Sequence, residues 1–105
     1  MRQARPAEIA GLLGDRPDAA QVLDVREPWE FAICSLPGSV HIPMGQITRR
    51  FEELARDRPV VCVCHHGMRS LQVAMWLERQ GYETVNLAGG IDAWAREVDP
   101  ACPTY

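Results

Sequence analysis

From Pro59 to Cys64 the chain reads Pro-Val-Val-Cys-Val-Cys, an apolar stretch without alternation, bounded by a proline and a polar loop. Such a run predicts a parallel strand buried on both faces. Shorter runs at Gln21–Val25, Ser39–Ile42 and Thr84–Leu87 predict three more strands. Helical patterns lie between them. Pro6–Leu13 is the first, and Glu27-Pro28-Trp29 opens a second with proline in its first turn. From Gln46 to Arg56 the apolar Ile47, Phe51 and Leu54 recur at spacings of four and three, which predicts one surface helix. Leu71–Gln80 is closed by Gly81, and Ile91 to about Val98 is stopped by Pro100. Alternating strands and helices predict an α/β domain with a mainly parallel sheet covered on both sides. Ligands of such folds bind beyond the carboxyl ends of the strands. Asp24-Val25-Arg26 and the segment after Cys64 both lie at such ends and are expected to converge on one crevice.

Composition narrows the class without naming a reaction. The 105 residues are 47% hydrophobic and 24% charged, enough apolar material for one core and too short a chain for two. No apolar run approaches the roughly 20 residues needed to span a bilayer, and Met1–Pro6 lacks the apolar stretch of a signal peptide, so a cytoplasmic protein is expected. A net charge of -3 gives no general pull toward nucleic acid. All 11 basic residues are arginine, which removes Schiff-base lysine chemistry. Without an export signal the four cysteines are expected to be free thiols, with Cys34 and Cys102 as bystanders.

Cys64-His65-His66-Gly67-Met68-Arg69-Ser70 puts a thiol at the end of the buried strand and opens a helix about five residues later. Backbone N–H groups of a tight loop, with the positive end of the following helix, form a nest that favours a thiolate at its centre. Gly67 lets the backbone turn toward the sulfur, and Arg69 offers a permanently charged fork. These are the parts of a nucleophilic site that handles anions.

The loop resembles that of the rhodanese family, written Cys, two variable residues, Gly, one variable residue, Arg, then Ser or Thr; Cys64 to Ser70 match throughout. Asp24-Val25-Arg26, Glu30-Phe31, Pro37-Gly38-Ser39, His41-Ile42-Pro43, Leu87-Ala88-Gly89-Gly90-Ile91 and Trp94 look like the other family signatures in order. Cys34-Ser35-Leu36 departs from the Gly-His-Ile common before Pro-Gly-Ala. The resemblance implies one rhodanese-like domain over residues 1–105, a three-layer α/β/α sandwich with a five-stranded, mainly parallel sheet. It also implies a thiosulfate sulfurtransferase activity, moving sulfane sulfur from a donor to cyanide or a thiol through a Cys64 persulfide. Cys64 and Arg69 would carry the chemistry, with His65, His66, Gly67, Met68, Ser70 and Arg26 binding substrate. Neither cofactor nor metal is expected. The expected partners are a small anionic sulfur donor and a thiophilic acceptor, small or borne on a protein, with no nucleic acid and no membrane. A phosphatase branch of similar proteins has one more residue between cysteine and arginine than the four found here, which argues against phosphatase or arsenate reductase chemistry. A sulfur carrier or interaction domain without turnover remains an alternative.

Two residues before Cys64, Cys62 shares its side of the strand and reads as a core residue or as a thiol that resolves the persulfide. His65 and His66 read equally as solvated loop residues or as proton-handling groups. Arg26 and Glu30 read as a pair near the crevice with Asp24 orienting the arginine, or as a structural ion-pair network that never meets substrate, the second reading being preferred for Asp24 and Glu30. His41 reads as structural, and Trp29, Trp76 and Trp94 as packing residues.

Overall fold

The computed structural model describes residues 1–15 and 18–105. Five strands form one sheet: β1 (Arg2–Ala4), β2 (Gln21–Asp24), β3 (Val40–His41), β4 (Val60–Val63) and β5 (Thr84–Leu87). The spatial order is β1-β5-β4-β2-β3 and every pairing is parallel. The helices are α1 (Pro6–Asp15), α2 (Pro28–Ile33), α3 (Ile47–Arg50), α4 (Met68–Arg79) and α5 (Gly90–Glu97).

The strand β4 is central and lacks alternation because both of its faces are covered. Val61 and Val63 pack with Val22, Val85 and Leu87 under Ile9 of α1 and Ile91, Trp94 and Ala95 of α5. Val60, Cys62 and Cys64 face the other way, onto Ile47, Leu54 and the Val73, Ala74 and Leu77 stripe of α4. Cys62 and Cys64 therefore share a face, as the period of two requires.

Three elements differ from the pattern reading. The expected helix over Gln46–Arg56 is instead a 3-10 turn at Met44–Gln46, the single α turn of α3, and a second 3-10 turn at Phe51–Glu53. Gln46 and Arg50 leave regular helical geometry with ψ near zero (-2° at each), and the chain is extended at Leu54 (ψ 140°). Ile47 and Leu54 still reach the core, so the apolar spacing is met without a continuous helix. The strand β1 has no counterpart in the pattern. Arg-Gln-Ala carries no strand signal of its own and becomes a strand by pairing Arg2 with Val85 and Ala4 with Leu87. The third difference is covalent. Cys34, which follows α2, and Cys102 in the C-terminal segment form a disulfide across 68 residues, correcting the expectation of four free thiols; only Cys62 and Cys64 are free. No helix among the described residues is long and apolar enough to cross a membrane.

Candidate active site

The adjacent strands β2 and β4 end side by side, which brings the segments after Asp24 and after Val63 to one edge of the sheet. Cys64 stands there, 1% exposed. The chain then folds back over the sulfur. Gly67 has φ +96° and caps the N-terminus of α4, a left-handed conformation open to glycine. A Cβ at Gly67 would also lie 3.2 Å from the Gly89 nitrogen and 3.3 Å from the Leu87 oxygen. Gly90 is fixed by the same approach: a Cβ there would be 2.6 Å from the Cys64 carbonyl oxygen. The backbone of α5 docks on this loop, Ile91 N–H donating to the Cys64 carbonyl (2.8 Å) and Asp92 N–H to that of His65 (3.1 Å).

Three donors surround Cys64 Sγ: the Gly67 N–H at 3.1 Å, the Ser70 N–H at 3.3 Å and the Ser70 hydroxyl at 3.2 Å. The two backbone donors, held in place before reaction, stabilise negative charge on the sulfur without reorganising at the moment of reaction. Cys62, one pleat deeper, is set apart by solvation. Burial pushes its thiol up to about 12, with the nearby Cys64 adding to the shift. It is fully buried in the core packed between the sheet and α4, the surroundings expected of a core residue.

The arginines are placed differently from expectation. Arg26 is fully buried at 0% exposure, and all five of its guanidinium N–H groups are taken. Its Nε and Nη2 fork onto Asp24 (3.0 and 2.8 Å), Nη2 also donates to the Cys34 carbonyl, and Nη1 serves the Glu30 carbonyl (3.2 Å) and the Tyr105 hydroxyl (3.0 Å). Asp24 does orient it, but the pairing with Glu30 is through that residue's backbone. In this arrangement every Arg26 donor is engaged by protein, which is the place of a structural arginine rather than the substrate contact expected of it.

Arg69 lies on the first turn of α4 and forks onto Glu30, with Nη1 to Oε1 at 2.7 Å and Nη2 to Oε2 at 2.9 Å. Glu30 Oε1 also accepts from Glu27 N–H (3.0 Å), and Oε2 from the Tyr105 hydroxyl (2.7 Å). The Arg69 guanidinium holds the Glu30 carboxyl down at about 2, against an ordinary 4.5. Arg69 thus ties the loop to α2, and among the described residues no guanidinium hydrogen-bonds Cys64.

His65 is sandwiched between His66 (centroids 3.8 Å apart) and Tyr105 (3.9 Å), and its buried Nε2 has no hydrogen-bond partner. Its pKa is lowered, first by burial and then by His66. His66 and Met68 are exposed at the rim. Ligand atoms of His65, His66 and Asp92 lie within 4.8 Å of one another, but the Asp92 carboxylate is engaged by Arg96 at 2.8 Å. His41 is structural as expected, its Nε2–H donating to the Arg26 carbonyl (2.7 Å) while its ring stacks on Phe31 (4.3 Å). Trp76 and Trp94 pack. Trp29 does not: it is 63% exposed, edge-on to Tyr105 near the site. Tyr105 and the Cys34–Cys102 bond that anchors its segment carried no motif and were not recognisable from the chain.

The thiol ringed by amides at a strand end lies in a chain whose residues 6–97 match the rhodanese-like domain. The chain belongs to the rhodanese-like domain family. It is 44% identical over 79 residues to the putative sulfurtransferase YtwF of Bacillus subtilis, covering 75% of this chain and 77% of that one. It is 39% identical over 88 residues to the thiosulfate sulfurtransferase GlpE of Haemophilus influenzae, covering 82% and 83%. A rhodanese-related protein of known structure from Thermoplasma volcanium superposes with a TM-score of 0.83 at 33% identity over 93% of this chain and 94% of that one. This rhodanese-like chain is thus akin in sequence to proteins named sulfurtransferases, and it shares its fold with a rhodanese-related protein of known structure.

Proposed function

We propose that the protein is a sulfurtransferase that moves sulfane sulfur from a donor such as thiosulfate to a thiophilic acceptor, cyanide or a thiol. The observation that carries this reading is the ring of three donors on Cys64 Sγ. In the first step the Cys64 thiolate attacks the outer sulfur of thiosulfate. A bond forms between Sγ and that sulfur, the S–S bond of the donor breaks, and its electron pair leaves with sulfite. The charge of the resulting persulfide rests among the loop amides and the Ser70 hydroxyl. In the second step cyanide or a thiolate attacks the terminal sulfur and Cys64 departs as thiolate. Two half-reactions through a covalent intermediate give ping-pong kinetics.

The residues have unequal parts in this scheme. Gly67 and Ser70 hold the charge, His65, His66 and Met68 line the approach, and Arg69 fixes the loop through Glu30 while lending positive charge at longer range. A small anionic donor suits the cradle, and the acceptor is a small thiophile or a thiol borne on a protein. For the compartment, the Cys34–Cys102 disulfide opposes the cytoplasmic expectation, because structural disulfides persist in oxidising surroundings. Fractionation with a trap for free thiols tests this.

Cys64→Ser is the decisive variant. Serine fills nearly the same space but is a far poorer nucleophile at neutral pH. Incubation with thiosulfate should add one sulfur atom to the native protein by mass spectrometry and none to the variant, and turnover to cyanide should fall to background with the melting temperature unchanged. Thiosulfate-dependent turnover surviving in Cys64→Ser would refute the mechanism. A native protein that takes up one sulfur atom but does not turn over would instead be a sulfur carrier.

A further inference from the structure

Asn86 on β5 is 1% exposed, lies beside the Cys64 loop and has no part in the mechanism above. Its orientation is fixed by hydrogen-bond chemistry. The nitrogen that meets the Gly67 carbonyl (3.0 Å) must be the amide NH2, since a carbonyl only accepts; the same group reaches Gln3 Oε1 at 2.9 Å. The Asn86 Oδ1 therefore faces Ser70 Oγ, 2.6 Å away, and accepts its proton. Ser70 Oγ also lies 3.2 Å from Cys64 Sγ. A hydroxyl has one proton and cannot donate to both.

We propose that Asn86 is a positioning residue that sets the ionisation of Cys64 by competing with its sulfur for the single Ser70 proton. With Cys64 neutral, the Ser70 hydroxyl donates to Asn86 Oδ1 and accepts from the thiol S–H. When the sulfur is charged, the hydroxyl turns to Sγ, and the buried Asn86 Oδ1 is left without a donor. An unpaired buried acceptor is unfavourable, so Asn86 opposes the charged state while its NH2 keeps the loop closed through Gly67. The cradle is thereby tuned between a sulfur ionised for attack and a neutral resting thiol formed when the thiolate released by transfer takes up a proton.

The relevance to turnover rests on the sulfur-transfer reading, but the ionisation of Cys64 is measured without any donor, so the two fail separately. The ionisable groups around the loop are Cys62 of β4, His65 and His66, Arg69 of α4 with Glu30 of α2, and Asp92 of α5. None of them hydrogen-bonds Sγ among the described residues, and all are common to the variants compared. The test is a double-mutant cycle on the pH dependence of Cys64 alkylation by iodoacetamide, with Asn86→Leu, Ser70→Ala and the double variant. Asn86→Leu should move the half-maximal rate to lower pH by about 0.5 to 1 unit, the equivalent of one neutral hydrogen bond. In the Ser70→Ala background the same change should move it by nothing measurable. Should leucine not fold, Asn86→Ala enters the same cycle. Equal shifts in both backgrounds, no shift, or a shift to higher pH would overturn the proposal.

Discussion

Beneath α2, charge is balanced by side chains: Arg26 against Asp24, Arg69 against Glu30, and the Tyr105 hydroxyl between the two pairs. Around Cys64 the sulfur instead meets two backbone N–H groups and one hydroxyl. The first region is made of groups that titrate and can be replaced, so its failure shows as lost stability and altered pH dependence. In the second, most donors belong to the backbone and persist whatever side chains are present. Damage there should show as altered reactivity of Cys64 in a folded protein.

Substitutions beneath α2 sharpen that contrast, and Arg26 is the most severe. Arg26→Met strands the fully buried Asp24 carboxylate, and breaking a buried pair from one side is worth about 3–5 kcal/mol. Urea denaturation should show that loss, and any protein that remains folded should keep its Cys64 alkylation rate. A variant as stable as the native chain would show that the buried pair is not structural.

The disulfide comes next. Closing a loop across 68 residues restrains the unfolded chain, and by chain entropy its loss is worth at most about 4 kcal/mol. Contrary to the expectation that both cysteines are bystanders, paired Cys34→Ala and Cys102→Ala should lower the melting temperature and loosen Tyr105 from Glu30 and His65. An unchanged melting temperature with unchanged Tyr105 fluorescence would separate the tail from the charged framework.

Glu30 supplies the pH dependence. Its folded pKa, about 2, lies below the ordinary 4.5, so its contribution is complete above about 4.5 and is lost as pH falls through 2. Fully expressed, that shift corresponds to about 3 kcal/mol, an upper figure for a partner as exposed as Arg69. Glu30→Gln should therefore flatten the fall in stability between these limits, measured by thermal unfolding across acid pH. A profile as steep as that of the native chain would locate the acid sensitivity elsewhere.

The smallest effect expected is that of Arg69→Lys, which keeps the charge but loses the fork, at about 1 kcal/mol or less for a pair whose guanidinium is partly exposed and whose carboxylate is buried. Stability should fall slightly while the pH profile of Cys64 alkylation stays in place. A displaced profile would mean that the guanidinium acts on the sulfur directly, and the division between the two regions would fail.

Legibility in the chain followed the same division. The Cys64 loop is a contiguous motif, and local sequence states its turn, its glycine and the helix that follows. The β4 run was equally legible because burial on both faces leaves a mark on every residue. Beneath α2 the contacts join residues far apart in sequence, Arg26 with Tyr105 and Cys34 with Cys102. A lone arginine at a strand end looks the same whether it faces a ligand or fills its own fork with protein acceptors. The edge strand β1 was hidden for a related reason: its hydrogen-bonding partner, not its own residues, makes it a strand. At Phe51 the spacing of apolar positions fits both a continuous helix and two tight turns, and only the packing of Leu54 distinguishes them.

The close approach of Gly67, Gly89 and Gly90 has a consequence for the newly made chain. Translation delivers Cys64 before it delivers Asn86 and the first turn of α5, yet those later residues press the loop into shape. While the chain is still growing, Cys64 is an ordinary thiol on an unorganised loop, without the ring of donors. The ring of donors forms only when β5 and α5 have docked, so a ribosome-bound or truncated chain should hold the whole loop motif without the arrangement around its sulfur.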